Sequence, residues 1–164
     1  MSLAAAPDLI ERVVGFRAWR VIDDRLLSPY IPCRWKGRTM HAECWPANRS
    51  LTKGRGWLNR PHPVPHADCQ CGIYAYHRPG ARAYYGEFEW VEGVVSAWGR
   101  VVSHHDGFRA EDARIEALAL PGDQRRRDRA RAVSERLEVP LVEPGELPAA
   151  AAAAGAPLPA ALIP

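Results

Sequence analysis

Residues 46 to 70, "PANRSLTKGRGWLNRPHPVPHADCQ", constrain this chain more than any other stretch. They hold four prolines and two glycines and show neither a helical nor a strand period. A structureless segment of that length inside a compact domain is uncommon unless it is functional or fastened. Its end carries its own fastening chemistry. "HPVPHADCQCG" places His62, His66, Cys69 and Cys71 within ten positions, and Cys44 closes the segment on the other side. Thiolates and imidazoles are the ligands of zinc, which takes four of them in a tetrahedron. Thiolates are preferred because the protein must compete for zinc by ligand softness and not by charge alone.

The preferred ligand set is Cys44, His62, Cys69 and Cys71, with zinc as the cofactor. His66 at H-x-x-C spacing and Cys33 remain alternatives for His62, and a set of all four cysteines is a further one. Cys69 and Cys71 would share a face of a regular strand. Gripping one ion is easier if the chain turns nearby, and Gly72 eases such a turn. No secretory h-region is visible and no apolar run is long enough to span a bilayer. The reading is therefore a cytoplasmic protein with no membrane partner. Thiols stay reduced there, so clustered cysteines favour metal over disulfides.

Charge is uneven. Between Pro29 and Tyr85 nine cations face only Glu43 and Asp68, while the rest of the chain is net acidic. An acidic partner surface, nucleic acid or protein, fits that asymmetry. Lys53, Arg55, Arg60 and Trp57 interleave cations with an aromatic ring, as backbone contact plus base stacking requires. Abundant Ala, Arg, Gly and Pro fit a GC-rich bacterial source.

The expected fold is mainly β: a small bent sheet or barrel with a zinc-clipped loop and one C-terminal helix. A hairpin runs from Val13 to about Ser28 through Asp23-Asp24. "PYIPCRW" and "MHAECW" are short strands, and "CGIYAYH" is another. Long β stretches follow from Trp90, with turns at Glu92-Gly93 and Asp106-Gly107 and bulges or bends at Gly93 and Gly99. Asp123 caps a helix whose Ala130, Val133 and Leu137 form the buried stripe, and "VPLV" returns as an edge strand. Residues 1–12 read as an extension, 13–142 as the domain, and 143–164 as a disordered Pro/Ala-rich tail. The tryptophans supply core bulk, although Trp45 and Trp57 fall in the basic segment.

Two further groups carry chemistry. His104, His105, Asp106, Arg109 and Glu111 flank the second hairpin turn, where His104 and Arg109 are binding candidates for an anion or an acid–base pair. "HAEC" and "PHADCQC" resemble the H-x-E and P-C-x-x-C segments of zinc nucleobase deaminases. That resemblance implies zinc on His41, Cys69 and Cys71, with Glu43 moving protons. It departs from the family in a cysteine pair one residue too close and in Pro65 standing four residues ahead of Cys69. "HPVPHADCQCGIYA" with "VVSAWGRVVSHHDGFRAE" is similar to small actinobacterial proteins over residues 13 to 142, a resemblance that implies no activity. The leading expectation is a non-catalytic binding module or adaptor with structural zinc; the alternative is a zinc-dependent hydrolase or deaminase-like enzyme.

Overall fold

A computed structural model describes residues 9–29, 33–44, 62–80 and 90–164. β1 (Leu9–Ile22) turns at Asp23-Asp24 into β2 (Arg25–Leu27), which pairs with β3 (Arg34–Trp35). β4 (Thr39–His41) and β5 (Ile73–Tyr76) are short. β6 (Trp90–His104) and β7 (Gly107–Ala119) form the long hairpin that organises the rest.

The sheet closes on itself. β1 pairs with β6, β6 with β7 and β7 with β5, and β5 returns to β1 through Phe16 and Tyr76. β4 adds to β7 at its Asp112–Arg114 stretch. The mainly-β bent sheet expected from the strand pattern is thus present. Inside it Trp19 and Trp35 meet edge to face, ring centroids 5.5 Å apart, and both are fully buried with Leu26, Ile115 and Val101. Aromatic pairs in this geometry add about 0.5–1.5 kcal/mol beyond their area burial. α1 (Gln124–Leu137) buries Ala130, Val133 and Leu137 against this core, and Asp123 caps it by accepting from the Arg126 N–H at 3.0 Å. β8 (Leu141–Val142) then lies parallel to the end of β7.

Several expectations need correction. Glu92-Gly93 is no turn; both residues lie inside β6. A Cβ at Gly93 would stand 2.3 Å from the Ala117 carbonyl oxygen, so glycine serves close strand approach there. A bulge falls at Gly99, where φ is +76° and the β6–β7 register shifts between Trp98 and Val101; a second register shift follows Gly93, between Val94 and Val95. The tight turn is His105-Asp106, one residue earlier than the Asp-Gly signal suggested. "PYIPCRW" and "MHAECW" do contribute strands, but to different partners, β2 and β7. β1 already starts at Leu9, inside the segment taken as an extension.

The C-terminal segment departs most from expectation. In place of a disordered tail, residues 144–146 form a 3-10 turn, Leu147–Ala154 form α2, and Ala156–Pro157 form β9 parallel to β1. Leu147 and Ala151, one turn apart, pack on Val14, Phe16, Val94 and Ala117, while Leu158 enters the main core. Pro148 sits in the first helical turn, where no intrahelical N–H is needed. Alanine has the highest helix propensity, and its small side chain lets a helix lie close on a sheet.

Candidate metal centre

The sheet brings four of the expected ligands together. Cys44, His62, Cys69 and Cys71 each offer one ligand atom, and all four atoms lie within 4.8 Å of one another. Cys44 follows β4 and the two cysteines precede β5, so both flanks of the site hang from β7, the strand that pairs with β4 and β5. The Cys44 and Cys69 sulfurs stand 3.7 Å apart. Cys69 and Cys71 are buried, and Cys44 and His62 half-buried.

The chain turns where the glycine allowed it. Gly72 has φ +114°, a region unfavourable to side chains, and a Cβ there would come within 2.9 Å of the Pro65 Cβ. The Val64-Pro65 peptide bond is cis. The Cys69 N–H donates to the His66 carbonyl at 3.1 Å, closing a turn that aims Cys69 and Cys71 at Cys44 and His62.

His62 shows the donor chemistry of a ligand. Its Nδ1 is 2.9 Å from the Pro63 carbonyl oxygen, which can only accept, so Nδ1 carries a proton and, in the neutral ring, Nε2 holds the lone pair. Nε2 is buried and has no hydrogen-bond partner. A buried imidazole nitrogen with a free lone pair, oriented through its other nitrogen, is the arrangement in which histidine binds metals. His66 is employed differently: its Nδ1 accepts from the Asp68 N–H at 3.1 Å, and its ring leans on that of His62 at 5.2 Å. Cys33 accepts at its backbone oxygen from the Ser28 N–H, and its sulfur is not one of the four clustered donors.

Burial pushes the Cys71 thiol up to about 12; the His66 backbone offsets part of this, and the neighbouring Cys69 and Cys44 reinforce it. The buried Cys71 thiol therefore resists ionisation by itself. A coordinated divalent ion reverses that balance, because its charge far outweighs the desolvation of a thiolate.

Arg109 faces inward, not toward a binding surface. It is 6% exposed, and its Nη1 donates to the carbonyl oxygens of Cys69, Cys71 (2.9 Å) and His66 (3.3 Å). The sequence pattern gave no hint of this, because Arg109 is nearly forty positions from the loop it holds. His104 ends β6, half-buried, with its ring 6.0 Å from that of Tyr74. Of the residues expected at an anion site or acid–base pair, Arg109 therefore supports the cysteine loop, whereas His105 and Asp106 form the exposed turn and Glu111 lies beside Asp112.

His41 does not join the cysteines. Its Nδ1 is 2.8 Å from Asp112 Oδ1, and Glu111 completes a separate group. Asp112 raises the His41 pKa, chiefly through that hydrogen bond. The deaminase-like ligand set His41, Cys69 and Cys71 is thus not assembled, because β4 pairs His41 with Asp112 on β7. Trp45, Lys53, Arg55, Trp57 and Arg60 lie outside the described residues.

Comparison with family models, curated proteins and solved structures finds no match for the chain. What the fold and site define is a class: a mainly-β protein carrying a Cys3His cluster of metal-binding dimensions. Among the described residues no helix is long and apolar enough to cross a membrane.

Proposed function

We propose that the chain is a non-catalytic binding module in which a structural zinc ion, held by Cys44, His62, Cys69 and Cys71, anchors a cationic recognition segment. The observation that carries this reading is the position of the ligands: Cys44 and His62 bracket residues 45–61, and their donor atoms lie within 4.8 Å of each other. Between them the sequence holds Arg49, Lys53, Arg55 and Arg60, two tryptophans and no acid. Three thiolates and an imidazole are a set that zinc fills completely, leaving no open position for a reacting water. Closed sets of this kind are structural, which separates this reading from the hydrolase or deaminase alternative. Reduced thiols of this kind suit a reducing compartment, in keeping with a cytoplasmic protein.

The partner we infer is a polyanion, with single-stranded nucleic acid as its simplest form. Four cations neutralising four phosphates give a slope of log K against log salt of about −3. The test is binding of a fluorescent single-stranded oligonucleotide across a salt series, using wild-type protein and the double variant Lys53→Glu/Arg55→Glu. Steep salt dependence that flattens in the variant supports the reading. Weak, salt-independent binding in both removes nucleic acid as the partner and turns the search to acidic proteins.

A further inference from the structure

We propose that Arg109 is a positioning residue that assembles the Cys69–Cys71 turn before any metal arrives, so that the sheet rather than the ion orders the site. Arg109 sits in β7 opposite Tyr74 of β5 and Val102 of β6, surrounded by sheet on both sides. Its side chain leaves the sheet under the segment that leads into β5. There one guanidinium nitrogen takes the carbonyls of His66, Cys69 and Cys71. Those carbonyls belong to a stretch without regular structure, and strand pairing begins only at Ile73.

A guanidinium this buried is tolerated only where acceptors surround it, since an unpaired buried charge is strongly destabilising. The turn and the arginine therefore require each other. The surrounding shape agrees. A Cβ at Gly72 would lie 3.1 Å from the Arg109 Cβ and closer still to Pro65, so the turn wraps the arginine stem with no room for a side chain. Tyr74 covers the guanidinium from the strand side at 5.7 Å and ties its own hydroxyl to the Gln70 carbonyl at 3.1 Å. Arg17 holds the same strand from another side, donating to the Tyr74 carbonyl at 2.6 Å. Charge supplies a second role, which rests on the zinc reading above. Three thiolates around a divalent ion leave one net negative charge, and Arg109 is the buried cation beside it.

The deciding experiment is amide hydrogen exchange on reduced, metal-stripped protein, comparing wild type with Arg109→Lys and Arg109→Gln, followed by cobalt(II) titration of each. In the stripped wild type the Cys69 amide is expected to remain protected. In Arg109→Gln that protection falls about tenfold or more while Val95 and Ile115 amides are unchanged, consistent with loss of charged hydrogen bonds. Cobalt affinity, read from the thiolate-to-metal absorption, falls roughly ten- to a hundredfold, the usual effect of removing a ligand's support. Lysine keeps the charge but not the fork, so it should recover only part of both quantities. If Arg109→Gln does not fold, the stripped wild type and Arg109→Lys decide the matter. Free exchange at Cys69 in the stripped wild type, or a folded variant equal to wild type in exchange and affinity, overturns the proposal. A wild type that takes up no cobalt removes the zinc reading and leaves the exchange comparison to decide the role of Arg109.

Discussion

Removing the metal should loosen this protein without unfolding it. The ion would join Cys44 to His62, eighteen positions apart. Treated as a cross-link, closing a loop of that length removes unfolded-state entropy worth about 3 kcal/mol. For a chain of this size each kcal/mol moves the midpoint by about 2–4 °C, so chelation should lower Tm by about 6–12 °C. The transition should stay cooperative, because Trp19, Trp35, Leu26 and Ile115 are fully buried in a sheet that closes through β1, β6, β7 and β5 without the site, and Val133 of α1 is buried against them. The assay is near-UV circular dichroism against temperature in reducing buffer, with and without a strong chelator. The tryptophan pair should retain its signal after chelation at 25 °C. Loss of that signal on chelation would mean that the metal nucleates the fold, and the reasoning from core closure fails. An unchanged Tm, with metal shown to have been removed, would refute the cross-link estimate.

Elemental analysis of the purified protein should give one zinc per chain, absent in Cys69→Ser and Cys71→Ser and retained in His66→Ala, whose ring serves the turn instead of the ion. Gly72→Ala should cost about 1–3 kcal/mol by chemical denaturation, because it places a side chain at φ +114°; no measurable cost would mean that the turn relaxes freely. Leu147→Ala should cost about 2–5 kcal/mol in the same assay, whereas a tail detached from the domain would show nothing. The His41 pKa, read by NMR titration, should lie above its ordinary value of 6.5. Because the folded-state value is raised, the small stabilisation from this pair is complete below about pH 6.5 and is lost as pH rises through the folded value. Asp112→Asn should lower the His41 pKa, because the hydrogen bond to Asp112 is the largest cause of its rise.

Much of the fold was legible from local chemistry. The valine-rich stretch that follows Trp90 marked the long strands. Asp23-Asp24 marked the first turn, and Asp123 with the spacing of Ala130, Val133 and Leu137 marked α1. The C-terminal segment was not legible, because a run of alanines has no contrast between faces. Leu147 and Ala151 become a buried face only when the sheet supplies Phe16 and Val94 to receive them. Gly93 read as a turn because glycine permits turns, yet the Ala117 carbonyl beside it is the reason no side chain fits.

The site divides along the same line. Which atoms can bind a soft cation is a property of side-chain chemistry, so Cys44, His62, Cys69 and Cys71 could be singled out from residue type and neighbourhood alone. Whether His62 or His66 faces the sulfurs depends on carbonyls and amides a few positions away, and that required the folded turn. Arg109 and His41 lay beyond local reading altogether. Their partners are Cys69 and Cys71 in one case and Asp112 in the other, brought near only because β4, β5 and β7 lie side by side. Local sequence determines what each group can do; pairing between distant strands decides which groups meet, because hydrogen bonds and coordination act over a few ångströms of space regardless of separation along the chain.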